Sequence, residues 1–138
     1  MIELTDEIRE ALSKALSDRA PVVVSYVDAG GQPHLSFRGT AQVLNKEQLA
    51  IWVRNPEGGI VGAVAHNPRI ALLYRNAETR LSWQFLGRGA IVDDPTVRAT
   101  VYDHSPEVER NQDPERKGKA LVIDVDQVIQ RGQVVMRR

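Results

Sequence analysis

Over its first two-thirds this chain sets out short β-type runs in a fixed order, each closed by strong turn chemistry. They read APVVVSYVDAGGQPHLSF, LAIWVRNPEGGI, AHNPRIALLYRN and LSWQFLGRGAIV. β-Branched and aromatic residues fill the runs, while Gly, Pro and Asn punctuate them, which is the pattern of successive antiparallel strands. Six or seven short strands of this kind favour a closed antiparallel barrel over an open sheet.

A helix precedes the first run. Thr5 is placed as its N-cap, Asp6 and Glu7 favour the positive end of the helix dipole, and Ile8, Ala11, Leu12, Ala15 and Leu16 recur at helical spacing to about Ser17. Strand one is Val22 to Val27, and Asp28-Ala29-Gly30-Gly31 offers a tight hairpin turn. Strand two runs from Pro33 to Leu44, with Gly39 as a bulge or point of close approach, and strand three is Leu49 to Arg54. These three read as an antiparallel meander. A loop at Asn55 to Gly59 leads to a short apolar helix, Ile60 to Ala65, closed by His66-Asn67-Pro68. Strands follow at Arg69 to Arg75 and Arg80 to Val92. Asp94-Pro95 opens a helix to Asp103, and Ser105-Pro106 starts another. Residues 109–119, ERNQDPERKGK, read as an exposed loop or frayed helix. Ala120 to Ile129 is a further strand, and Gln133 to Arg138 a short closing one. The expectation is one domain over residues 1–138, mostly β (α+β), with six to seven antiparallel strands curling into a barrel and short flanking helices.

Charge and composition remove several function classes. The 18 basic and 18 acidic side chains cancel, which disfavours a nucleic-acid binder. With no cysteine, disulfides, a thiolate nucleophile and a cysteine-held metal are excluded. The acidic, amphipathic first residues suit neither a signal nor a transit peptide, and no apolar run approaches the ~20 residues of a membrane span. The expectation is a cytoplasmic protein with no membrane or metal partner. Arg outnumbers Lys by 14 to 4, through genomic base composition or a need for bidentate anion contacts.

Legible chemistry is sparse. His34, His66 and His104 follow no metal-ligand spacing. His34 is the best candidate of the three because it begins a strand expected to line the pocket. No nucleophile elbow or His/Asp pairing is visible. Asp93-Asp94 is explained by capping, and Asp124 and Asp126 by a solvated strand edge. Gly58-Gly59 before the short helix either presents N–H groups to a phosphate or is an ordinary flexible loop. Trp52 and Trp83 pack in the core or line a ring-binding cleft or dimer interface. Arg38 and Arg54 fall opposite each other in the meander. There they suit a phosphate or polycarboxylate, or pair with nearby acids.

Taken with Gly31-Gln32-Pro33, Asn67-Pro68-Arg69-Ile70-Ala71-Leu72-Leu73 and Gly87-Arg88-Gly89-Ala90, the order of elements resembles the pyridoxamine 5′-phosphate oxidase-like split-barrel family. That family includes flavin reductases and deazaflavin-dependent reductases. The resemblance covers Asp6 to Asp94 well and the C-terminal third loosely. It implies a homodimer with FMN, or a deazaflavin coenzyme, in a groove between two barrels. Ser36, Phe37 and Arg38 would lie along the ring, and Trp52, Val53 and Arg54 near the ribityl-phosphate. The chain departs from the family at Gly59-Ile60, where tight FMN binders often carry an Arg-Lys pair, and at Ser82, where a glutamine near the ring is common. Two lost charge-assisted bonds are worth ~1.5–3 kcal/mol each. Either Arg54, Arg38 or the backbone at Gly58-Gly59 compensates, or FMN binds weakly, or the ligand differs. The resemblance thus implies a flavin- or deazaflavin-dependent oxidoreductase acting on an unknown small substrate, with no catalytic side chain assigned. The alternative is a non-catalytic flavin- or haem-binding or sensor protein on the same barrel.

Overall fold

The computed structural model describes residues 1–138. In chain order the elements are α1 (Asp6–Ser13), β1 (Val22–Val27), β2 (Pro33–Arg38), β3 (Gln42–Val43), β4 (Gln48–Val53), α2 (Gly59–His66), β5 (Arg69–Asn76), β6 (Leu81–Val92), α3 (Pro95–Asp103), α4 (Glu107–Arg110), β7 (Lys119–Gln130) and β8 (Gln133–Arg137). All strand pairs are antiparallel and form one curled sheet in the order β2-β1-β5-β6-β7-β4-β3, with β8 added on β7. This is the split barrel that the order of strands predicts. It has eight strands rather than six or seven, because the expected second strand divides in two.

Local chemistry accounts for most boundaries. Thr5 Oγ1 accepts from the Ile8 N–H at 3.2 Å, and Asp94 Oδ1 accepts from Thr96 and Val97 at 2.8 and 3.2 Å, so both expected caps are formed. The first helix stops at Ser13, four residues short of the sequence expectation. Ser13 and Ser17 donate back to the carbonyls of Glu10 and Lys14, and Arg19 turns into the left-handed region at φ 59°. Such side-chain bonds compete with the helical ladder. No helix is long and apolar enough to cross a membrane.

The meander of strands one, two and three does not form. β2 pairs only with β1, in the register Val22↔Arg38 to Val27↔Pro33, whereas β4 pairs with β3 and β7. The chain leaves the ladder at Gly39-Thr40-Ala41. There Thr40 Oγ1 accepts from the Trp52 N–H and donates to the Trp52 carbonyl, both at 2.9 Å. One hydroxyl thus satisfies the two backbone groups of β4 that a continuing strand would have paired. The barrel opens at that point.

Inside the curl lies a core of Val22, Val24, Leu49, Ile51, Val53, Ile60, Leu72, Tyr74, Trp83, Phe85, Leu121 and Ile123 with Ile8 and Leu12 of α1. Trp83 stacks on Tyr74 at 5.7 Å, so it is a core residue rather than a cleft residue. A second, smaller cluster on the outer side packs Trp52, Ala50 and Ala120 against Val101 and Tyr102 of α3.

Strand β2 has an inverted pattern. Its polar residues His34, Ser36 and Arg38 share a face with Tyr26, Val24 and Val22, two of which are core residues. Leu35 and Phe37 point outward and are 74% and 71% exposed. Cross-strand pairing puts Phe37 beside Val23 and Leu73, and Leu35 beside Ser25 and Ala71. The outer face of β2, β1 and β5 therefore carries a continuous apolar patch.

Candidate functional site

The opening between β2 and β4 forms a cavity of ≈ 360 Å³ lined by Phe37, Arg38, Gly39, Thr40, Trp52, Arg54, Asn55, Glu109 and Gln112. Arg38 and Arg54 do meet here, although not as strand partners. Arg38 reaches the cavity from the end of β2 and Arg54 from the residue after β4.

Arg38 is half-buried and lies within 4 Å of no carboxylate. Its Nε donates to Ser36 Oγ at 3.1 Å. Burial pulls its pKa below the ordinary arginine value. The nearby Tyr26 hydroxyl opposes that shift, and the charge of Arg54 adds to it. A cation desolvated beside a second cation is favoured by an incoming anion. Arg54 is half-exposed and more engaged: Nε lies 3.8 Å from Glu109 Oε2, and Nη1 donates to Gln112 Oε1 at 3.4 Å.

Next to these arginines begins α2, which buries Ile60, Ala63 and Val64. Its N-cap is Gly58, with no side-chain capping bond, and Gly58 N–H bonds back to the Asn55 carbonyl at 2.9 Å. The positive end of the helix dipole thus opens beside Asn55, a cavity residue. At Gly59 a Cβ would stand 2.8 Å from the Tyr26 hydroxyl, so glycine permits that approach. The Ile60 side chain is 1% exposed and belongs to the core, as does Val53. These two positions have only backbone groups to offer a ligand.

Trp52 contributes to the cavity wall, but its indole is committed elsewhere. Nε1 donates to Asp113 Oδ2 at 2.9 Å, Tyr102 meets the ring edge-on at 5.2 Å, and the Arg98 guanidinium lies 4.9 Å above it. Asp113 sits in the stretch expected to be an exposed loop or frayed helix, and most of residues 109–119 are indeed exposed turn, but Asp113 itself is buried. Asp113 is 7% exposed and also accepts from the N–H groups of Lys117 and Gly118, each at 2.9 Å. Burial pushes the carboxyl up, but the bonds from Lys117, Trp52 and Gly118 outweigh it and hold the pKa below the usual value. A run of charges interrupted by Pro114 and Gly118 gives no periodic signal, so Asp113, Glu109 and Gln112 were missed. The segment carries no local signal that sets these three apart from its other polar residues.

Ser82 is not part of this cavity. It faces Arg75 across the β5–β6 ladder and lines a separate depression with Arg80 and Arg131. His34 also stays out of the cavity. Its Nε2 is 2.8 Å from Asp28 Oδ2, and its ring stacks on Tyr26 at 4.8 Å. That bond, with the N–H groups of Gln32 and Gly30, lowers the Asp28 pKa. His66 ends α2, and His104 bonds the Thr100 carbonyl at 2.7 Å. Asp124 accepts from Gln48 and Asp126 from Arg88 in a bidentate pair, but both are half-buried on β7, a strand paired on both sides rather than a solvated edge.

Residues 4–132 match the family model described as pyridoxamine 5′-phosphate oxidase. No curated protein matches the sequence. Similar solved structures include HupZ from Group A Streptococcus, at TM-score 0.74 and 16% identity over 96% of this chain and 98% of that one. An FMN-binding protein from Syntrophomonas wolfei has TM-score 0.65 and 7% identity over 96% and 88%. An F420 reductase has TM-score 0.62 and 16% identity over 80% and 89%. At these identities the likeness is one of fold.

Proposed function

This chain belongs to the pyridoxamine 5′-phosphate oxidase family, and from that premise we propose that it is a flavin- or deazaflavin-dependent oxidoreductase working as a homodimer. The observation that carries the reading is the cavity holding Arg38 and Arg54 at the margin of a bared apolar face. Arg38 is desolvated and has no acidic partner, which suits the anionic tail of a ribityl cofactor. At ≈ 360 Å³ the cavity is at the small end of ligand pockets and suits that tail better than a whole flavin. The ring would then extend along Ser36 and Phe37, toward the apolar patch of Leu35, Phe37 and Leu73.

A second copy seated on that patch would cover the ring and exclude water. The patch is continuous with the cavity through Phe37, which lines one and is part of the other. In this arrangement Arg38 and Arg54 bind the tail, the first turn of α2 supplies N–H groups, and Phe37 shields the apolar flank. The cofactor, when bound, supplies the hydride transfer, so the protein's task is positioning.

Three experiments test this. Titrating the protein with FMN or a deazaflavin coenzyme should give a stoichiometric complex that NAD(P)H or a reduced-deazaflavin system can turn over. Arg54→Ala should weaken binding by about tenfold or more, as loss of a bond worth ~1.5–3 kcal/mol predicts. Absence of binding of either cofactor at tens of micromolar would sink the proposal, and a tight complex without turnover would instead favour a carrier or sensor. A haem carrier has less support, because none of the three histidines lines the cavity. Phe37→Asp should convert a sedimenting dimer into monomers and weaken cofactor binding with it. A variant that stays dimeric would remove this face from the interface.

A further inference from the structure

One cavity residue works against the anion that the two arginines favour. Glu109, on α4, is 22% exposed at its side chain, and its nearest cation is Arg54 Nε at 3.8 Å, too long for a hydrogen bond. No donor bonds its carboxylate. Its position is set by the backbone around it rather than by pairing. Tyr102 donates to the carbonyl of Arg110 at 3.2 Å and to that of Asp113 at 3.0 Å, and the Arg110 guanidinium donates to the carbonyls of Asp103 and Ser105. Asp113 then ties the following turn to Trp52. Across the cavity, Gly39 leaves the space that the Glu109 carboxylate occupies: a Cβ there would overlap Glu109 Oε1.

Two guanidiniums and one carboxylate leave the cavity with a single net positive charge. A phosphate monoester carries about −1.5 to −2 at pH 7, so it would bring the site to a net negative balance. A phosphodiester or another monoanion would bring it to neutrality. We propose that Glu109 is a specificity-determining residue of this cavity, narrowing the advantage that the two arginines alone would give a dianionic phosphate monoester over a cofactor tail with one negative charge, such as a phosphodiester. The inference rests on the preceding reading that Arg38 and Arg54 hold the cofactor's anionic tail. It assigns to the cavity a charge preference that the arginines alone would not have.

Glu109→Gln keeps the shape and removes the charge, and an unchanged melting temperature verifies the fold. Three flavins differing in tail charge serve as probes: riboflavin, riboflavin 4′,5′-cyclic phosphate and FMN. Because a Coulomb energy scales with ligand charge, Glu109→Gln should tighten FMN by on the order of tenfold and the cyclic phosphodiester by about threefold. Riboflavin should be unaffected. The margin by which FMN outbinds the cyclic phosphate should therefore be about threefold smaller in the wild type than in Glu109→Gln. An equal gain for riboflavin would overturn the proposal, since it would mean only that space had been released. No gain for FMN, with Arg54→Ala still weakening it, would remove Glu109 and leave the arginine site standing. No binding of any of the three by wild type or variant would remove both.

Discussion

Asp113→Ala is expected to destabilise the protein by about 3–5 kcal/mol. The carboxylate gathers three donors in a buried position: the Trp52 indole N–H and the Gly118 N–H on Oδ2, and the Lys117 N–H on Oδ1. Alanine leaves all three without an acceptor, and each stranded buried donor costs about 1–3 kcal/mol. Because Trp52 belongs to the cluster with Tyr102 and Val101, its release would also loosen α3 from β4. Denaturant unfolding and tryptophan fluorescence would measure both effects. Asp113→Asn should be nearly as damaging, since an amide turns one acceptor into a donor facing N–H groups. A loss below 1 kcal/mol for both variants would show that the turn is held by something else.

The same carboxylate makes a signed contribution to acid stability. Its folded pKa lies below the ordinary 3.8. The stabilisation is therefore complete above that ordinary value and fades as pH falls through the folded value. Asp113→Asn should remove that part of the stability loss below pH about 4 and leave a flatter acid limb.

Gly87→Ala should cost about 3 kcal/mol or more, at the top of the overpacking range. Gly87 sits in β6 at the register shift after Leu86, facing Val125 on β7. A Cβ there would overlap the Asp124 carbonyl oxygen and stand 3.0 Å from Ile123 Cγ2. The obstacle is backbone, so no rotamer change relieves it, and β6–β7 joins the two halves of the curled sheet. Gly62→Ala is the control. Gly62 lies inside α2 with nothing within 4 Å of an added Cβ, so it should be neutral or gain about 0.5–1 kcal/mol. Thermal melts of the pair separate a packing obstacle from a general intolerance of glycine replacement. A Gly87→Ala melt within a degree or two of wild type would refute the close approach.

Most strands could be read in advance because their causes are local. β1, β5 and β6 follow from apolar runs bounded by Pro21, Asn67-Pro68 and Asp94-Pro95, β7 from the alternation of Leu121, Ile123 and Val125, and α3 from its Asp-Pro start. The split of strand two was not readable in this way. It depends on Thr40 meeting Trp52, a contact across 12 residues that no local pattern encodes. The exposure of Leu35 and Phe37 was hidden for a related reason. Alternation along a strand identifies two faces, but only the neighbouring strands decide which one is covered.

The cavity shows the same division. Arg38 and Arg54 were visible as a pair, but through a strand pairing that does not exist. They meet because the barrel opens between them. Glu109 and Asp113 lie in a charged stretch held by non-periodic bonds to Tyr102, Lys117 and Gly118 and by the distant Trp52, while Gly39 leaves room for the Glu109 carboxylate. By itself, then, the sequence determined the succession of strands along the chain, the caps and the family, all of which rest on short-range patterns of turn and β-branched residues. Tertiary structure alone decided where the barrel splits, which face of β2 is bare and which carboxylate enters the arginine cavity. Each of these depends on contacts between residues far apart in the chain, and a side chain's charge or apolarity has a consequence there only once its neighbours are in place.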